Sequence, residues 1–199
     1  RNYAGINASD CVPLNLLGHV NAGFKDELAG DRKGGWFDQG TNDYQNAPAG
    51  NVVLANVPFT IIKPENNNEK SVIVMRGKKR PYFTDQVKGI PVNMKAKSLF
   101  ILHTAGWSQK NRTVCYYLQV KYADGGKLIV PVRFGIEIGG WWNPTPLSQA
   151  KIAHETPNAV CKCVGLYCWK WSNPEPYRKI ASIDLISGKD NAVPGIIAI

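Results

Sequence analysis

The run 113–134 constrains the fold of this chain more than any other. Val114, Tyr116, Leu118, Val120 and Tyr122 recur at every second position, and so do Leu128, Val130, Val132 and Phe134. A period of two places each set on one face of a strand. Between the sets stands Ala123-Asp124-Gly125-Gly126, and Asp-Gly is a turn sequence that joins antiparallel neighbours. Nowhere does a 3.6-residue apolar period persist. A single short helical turn is expected at 22–29, stopped at once by Gly30, Gly34 and Gly35.

Further strands are predicted at 51–62, 71–75, 97–103, 160–171, 179–186 and 196–199, bounded by Gly-, Pro- and Asn-rich turns. About eight strands without helices predict an all-β domain, most simply a jelly-roll β-sandwich of two antiparallel sheets. Neither a linker nor a repeat divides residues 1–199, so one domain is expected. A hydrophobic content of 44% excludes a disordered chain. No apolar run approaches the roughly 18 residues of a membrane span, so no membrane partner is expected. The sequence opens at Arg1 without a basic and then apolar leader, so any signal peptide is expected to be gone already.

Charge and cysteines narrow the functional classes. Lys and Arg number 24 against 15 Asp and Glu, a net +9. The segment 76–97 concentrates seven basic residues and one acid, a face that suits an acidic polysaccharide or nucleic acid, or simply a solvated loop. Five cysteines leave at least one unpaired in a monomer. Cys161, Cys163 and Cys168 with His154 upstream lack the paired C-x₂-C spacing of a zinc site, and buried thiols acting as small hydrophobes are the expectation.

Two constellations bear on chemistry. The loop 21–43 gathers Asp26, Glu27, Asp31, Asp38 and Asp43 among glycines. Calcium is held by six to eight oxygens on such tightly turning backbone, so a structural calcium is expected here, with Asp26, Asp31, Asp38 and Asn42 as metal ligands. The alternative is a loop whose carboxylates cap its own turns and pair with Lys25, Arg32 and Lys33. The second constellation is the six tryptophans at 36, 107, 141, 142, 169 and 171. Trp169 and Trp171 are two apart, hence on one face of one strand, and read as core or edge. Trp141 and Trp142 stand between Gly139-Gly140 and Asn143-Pro144, and two adjacent indoles in a loop cannot both be buried easily. At least one is a candidate platform for a sugar ring. The expected carbohydrate-binding residues are Trp141, Trp142 and Trp107, with Glu137 and His103 fixing hydroxyls. His103 also suits a core role, as a satisfied polar group at a strand end.

The strings NAGFKDELAGDRKGGWFDQGTND, VPFTII, LFILHTAGW, IEIGGWW, VGLYCWKWSNPEP and IASIDLIS, in this order, resemble a galactose-binding-like β-sandwich domain. That family occurs in large secreted, glycoside-hydrolase-related proteins of bacteria. The resemblance implies a jelly roll, a structural calcium near the N-terminal loop and sugar held on one rim. It implies a non-catalytic carbohydrate-binding module, secreted or at the cell surface, that brings a catalytic domain of the same parent chain to polysaccharide or oligosaccharide. The positions that carry it are Asp31, Gly35, Trp36, Asp38, Gln39, Gly40, Asn42, His103, Trp107, Glu137, Trp141 and Trp142. The clustered cysteines and His154 depart from the pattern.

A glycoside hydrolase or polysaccharide lyase is the rival class. A retaining hydrolase needs two carboxylates about 5 Å apart, whereas the strand around Glu137 offers one acid. Single-stranded nucleic-acid binding through 76–97 is the third reading, with Arg80-Pro81-Tyr82-Phe83 as its aromatic and basic cluster.

Overall fold

The computed structural model describes residues 2–199; Arg1 lies outside the described residues. Eleven strands follow in chain order: β1 (Gly50–Leu54), β2 (Val57–Ile61), β3 (Ile73–Val74), β4 (Gln86–Lys95), β5 (Ser98–Gly106), β6 (Val114–Tyr122), β7 (Lys127–Arg133), β8 (Ala150–Thr156), β9 (Val164–Ser172), β10 (Lys179–Ser187) and β11 (Val193–Ala198). The only helical turns among the described residues are two three-residue 3₁₀ turns, Ala8–Asp10 and Pro64–Asn66. No helix among them is long and apolar enough to cross a membrane.

All pairing between named strands is antiparallel. One sheet runs β4-β10-β6-β7, a second runs β3-β11-β5-β9-β8, and β1 with β2 forms a separate hairpin. The predicted β6–β7 hairpin is present, with Tyr116 opposite Val132, Leu118 opposite Val130 and Val120 opposite Leu128. Its inward face meets the facing sheet in one apolar core: Ile90, Leu118, Ile183 and Leu185 from the first sheet, Ile101, Trp169, Trp171 and Ile196 from the second. Trp169 and Trp171, two apart on β9, both serve this core as expected.

The other face of the five-stranded sheet is apolar too. Leu102, Leu166, Cys168 and Ile197 point away from the first core and need a cover. The β1–β2 hairpin supplies Val57, Phe59 and Ile61, and the long N-terminal arm supplies Phe24, Trp36, Phe37 and Tyr44. A second core therefore lies outside the two-sheet layer, and it fixes the position of the acidic loop.

Three expectations are corrected here. Residues 51–62 are two strands rather than one, because Ala55 and Asn56 at φ 52° and 66° make a tight turn between β1 and β2. The segment 76–97 contains β4, hidden in the sequence by Gly89 and Pro91; β4 is an edge strand, where a missing N–H leaves no ladder gap. No helical turn forms at 22–29. Ala22 instead exchanges backbone hydrogen bonds with Val72 at 3.0 and 3.1 Å.

Candidate functional site

The acidic loop is held to the sheet by aromatic packing. Trp36 stacks on Tyr44 at 5.0 Å between centroids and meets Trp141 edge-on at 5.5 Å. Phe37 lies against Gly106 of β5 and Gly195 of β11, where a Cβ would approach its ring to 2.9 Å at either position. Tyr44 bonds His154 Nδ1 at 2.7 Å, tying the loop to β8. Phe37 and Asp38 both adopt left-handed backbone, φ 56° and 58°. For non-glycine residues that costs about 1 kcal/mol or more each, and the fully buried Phe37 ring offsets it.

This strained turn brings three carboxylates together. Oxygens of Asp26, Asp31 and Asp38 lie within 4.8 Å of one another. Gly35, at φ 73°, passes so close to Asp26 that any Cβ there would overlap its carboxylate. Asp38 accepts from the Gly30 N–H at 2.9 Å and from the Tyr82 hydroxyl at 2.5 Å; Asp31 accepts from the Lys33 N–H at 2.9 Å; Asp26 accepts from the Gly40 N–H. The only cationic group in ion-pair range among the described residues is Lys33 Nζ, 3.8 Å from Asp31 on a largely exposed side chain. Burial pushes the Asp26 carboxyl above its ordinary range, the Gly40 N–H opposes this, and the charges of Asp38, Asp31 and Asp43 add to the rise. The donor set is all oxygen, which suits a hard cation such as calcium. Turn-capping operates as well: Asp43 accepts from the Asp26 and Gln45 N–H groups. Asn42 plays a different part from the three aspartates. Its Nδ2 donates to Gln39 and its Oδ1 accepts from Asn158 at 2.9 Å, which joins the loop to the 157–163 connection.

The aromatic site residues separate into interior and rim. Trp141 is 2% exposed, covered by Trp36, Phe37 and Tyr44, so the loop that was expected to present it instead buries it. Trp142 is 41% exposed. It is rigidly mounted: an antiparallel bridge joins it to Val164, Asn143 N–H donates to Cys163 O at 2.9 Å, and the ring meets Trp141 edge-on at 5.8 Å. Gly139-Gly140 is likewise fixed, since Gly139 O accepts from Ala105 N–H at 2.9 Å and Gly140 bridges Ala105.

Neither polar fixer faces solvent. His103 is fully buried between the sheets, with Nδ1 2.8 Å from Tyr116 Oη, Nε2 3.0 Å from Glu137 O, and its ring parallel to Trp169. Burial lowers its pKa from 6.5 to about 3, although the Glu137 carbonyl pulls the other way, so the imidazole is neutral. Glu137 is 5% exposed and both its oxygens are taken by Arg133, at 2.5 Å to Nη2 and 2.8 Å to the backbone N–H. It forms an ion pair with Arg133 in the turn after β7.

Trp107 is half-buried at φ 59°, with the Arg80 guanidinium over its ring. Arg80 thus belongs to a local stack, and Arg76 is bound by Asp85 at 2.9 Å, so part of the basic segment is spent within the fold. Tyr82, which the sequence places in the aromatic and basic cluster 80–83, bonds Asp38 of the acidic loop instead, a role the sequence did not show. Burial, then its bond to Asp38, raises its pKa to about 12, and it links the acidic loop to the basic segment. Nothing local to Tyr82 marks a partner 44 residues away. Comparison with family models, curated proteins and solved structures finds no match to this chain. The five cysteines are free thiols, with Cys115, Cys161 and Cys168 buried.

Proposed function

We propose that this protein is a non-catalytic carbohydrate-binding module of galactose-binding-like, jelly-roll type, acting beside a catalytic domain in a secreted bacterial protein. The observation that carries the reading is Trp142: a 41% exposed indole on a rim pinned by backbone hydrogen bonds. A rigid exposed ring binds the C–H face of a sugar with little ordering cost. Asn143, also exposed and adjacent in sequence, offers an amide for a hydroxyl. The jelly-roll assignment is supported by connections that alternate between sheets, β4 to β5, β5 to β6, β7 to β8, β9 to β10 and β10 to β11.

Calcium at Asp26, Asp31 and Asp38 is part of the same proposal, as a structural ion. These residues would hold it, and it would cancel the repulsion of three close carboxylates and lock the loop that covers Trp141. The non-catalytic reading draws on Glu137, whose carboxylate is committed to Arg133. A glycan array with wild type and Trp142→Ala, each with and without chelator, tests the proposal. Glycan binding that disappears with the Trp142 ring supports it. Failure of wild type to bind any glycan, or binding unchanged in Trp142→Ala, overturns it.

A further inference from the structure

At the opposite margin of the second core lies a groove of about 410 Å³, between the arm 5–14 and the β4–β5 hairpin. We propose that this groove binds acidic oligosaccharide, with Lys95, Lys97 and Lys170 receiving uronic-acid carboxylates; the proposal rests on the carbohydrate-binding reading above and gives it a second, charge-selective site. The volume falls within the range of about 300–1,000 Å³ typical of small-ligand sites. Its floor is apolar, including buried Phe59 and Leu99 and half-buried Phe100. Trp142 is not among its lining residues.

The walls are cationic and unneutralised. Lys95 and Lys97 flank the hairpin turn, and Lys170 is the cross-strand partner of Phe100, its Nζ 5.7 Å from that ring. Lys179 stands directly opposite Lys95 in the β10–β4 register, a like-charge pair that destabilises a sheet unless an anion lies nearby. Among the described residues no carboxylate comes within ion-pair distance of any of these four lysines, and Asp10 is the only acidic side chain lining the groove. The turn is also held in place. The Asn173 N–H donates to Lys97 O and its Nδ2 to Ala96 O, both at 2.9 Å, while Tyr122 Oη donates to Asn173 Oδ1 at 2.8 Å. Strand-end lysines are therefore presented from a fixed backbone rather than a mobile loop.

Charge complementarity demands an anion, and the shape of the floor selects its kind. A sugar acid offers C–H faces for the apolar floor, hydroxyls for Asn7 and Ser98 on the walls, and carboxylates for the lysines. Single-stranded nucleic acid would need open aromatic faces for its bases. Phe100, the aromatic ring nearest the lysines, is half-buried, paired with Tyr3 in a T-shaped contact at 5.4 Å and approached by Lys170 Nζ at 5.7 Å, so it makes a poor stacking platform for bases.

Calorimetric titration of the whole chain decides the matter. The probes are oligomers of galacturonate, glucuronate and mannuronate, their carboxyl-reduced neutral counterparts, and a short oligothymidine. The proteins are wild type, Lys95→Ser/Lys97→Ser, Lys95→Arg/Lys97→Arg and Trp142→Ala. At least one uronate oligomer should bind, at least about tenfold more tightly than its reduced form. The serine pair should lose roughly 10–100-fold, as expected for charge-assisted hydrogen bonds, while the arginine pair retains binding and neither melts lower than wild type. The proposal is overturned if no uronate oligomer binds, if acidic and neutral forms bind alike, if the serine pair binds as wild type does, or if oligothymidine is preferred. Neutral glycan bound through Trp142 in any of those cases leaves the first reading standing; no glycan bound at all removes both.

Discussion

Acid titration of His103 gives the most direct check on the two-sheet core. Its imidazole is fully buried and neutral, with a pKa of about 3 in the folded chain against 6.5 when free. The unfolded chain therefore binds a proton over a pH range in which the folded chain does not. The sign follows: the folded pKa is depressed, so the stabilisation is complete above about pH 6.5 and is lost as pH falls toward 3. One pKa unit corresponds to about 1.4 kcal/mol, so the full span is worth on the order of 5 kcal/mol, comparable to the whole stability of a marginal domain. His154 is also held below its ordinary value, by burial, and acts in the same direction, so the measurement must be a difference. Urea unfolding of wild type and His103→Gln, at steps from pH 7.5 to 4, supplies it. At pH 7.5 the variant should be less stable by about 1–3 kcal/mol, having lost one hydrogen bond and the parallel contact with Trp169. Toward pH 4 the wild type should lose its advantage, by about 1 kcal/mol per pH unit. Parallel stability curves for the two proteins would show that His103 is protonated in the fold, and the buried assignment would fail.

Other outcomes follow from the same geometry. Trp141→Ala should cost about 3–5 kcal/mol in chemical unfolding, while Trp142→Ala should melt within a few degrees of wild type and lose glycan binding. Gly35→Ala should destabilise by more than about 1 kcal/mol, since its left-handed backbone and its contact with Asp26 both resist a Cβ; an unchanged melting temperature would contradict that packing. EDTA should lower the melting temperature of wild type, with calcium restoring it, and Asp38→Asn should abolish the response. A chelator-insensitive wild type would mean that the loop is held by its own hydrogen bonds.

What the sequence disclosed and what it withheld divide along the distance of the partners. The β6–β7 hairpin was legible because pattern and turn are contiguous, and Trp169 and Trp171 because two-residue spacing fixes their face. Asp26, Asp31 and Asp38 were legible as a group because glycines between them force the chain to double back. Strand β4 was hidden by Gly89 and Pro91, residues whose cost depends on whether a strand lies at an edge. β8 was hidden for want of an alternating pattern, as another edge strand with mostly half-buried residues. The burial of Trp141 depends on Trp36 and Tyr44, about a hundred positions earlier, and no local pattern carries that information. His103 was visible as a polar residue near a strand end, but that its partner would be Tyr116 depended on how the sheets face one another, whereas Glu137 finds Arg133 only four positions away in the turn after β7.

The place of β11 governs the order in which this protein can be made. It follows every other strand along the chain, yet it lies inside its sheet, between β3 and β5. As the chain leaves the ribosome, β3 and β5 emerge with the position between them empty, and their facing edges can pair with whatever is near until 193–198 arrives. The N-terminal arm must wait as well, because Phe37 is seated on Gly195. Residues 24–44, made before any strand of either sheet, are thus among the last to dock, and during translation their aromatic side chains are the ones that most need shelter.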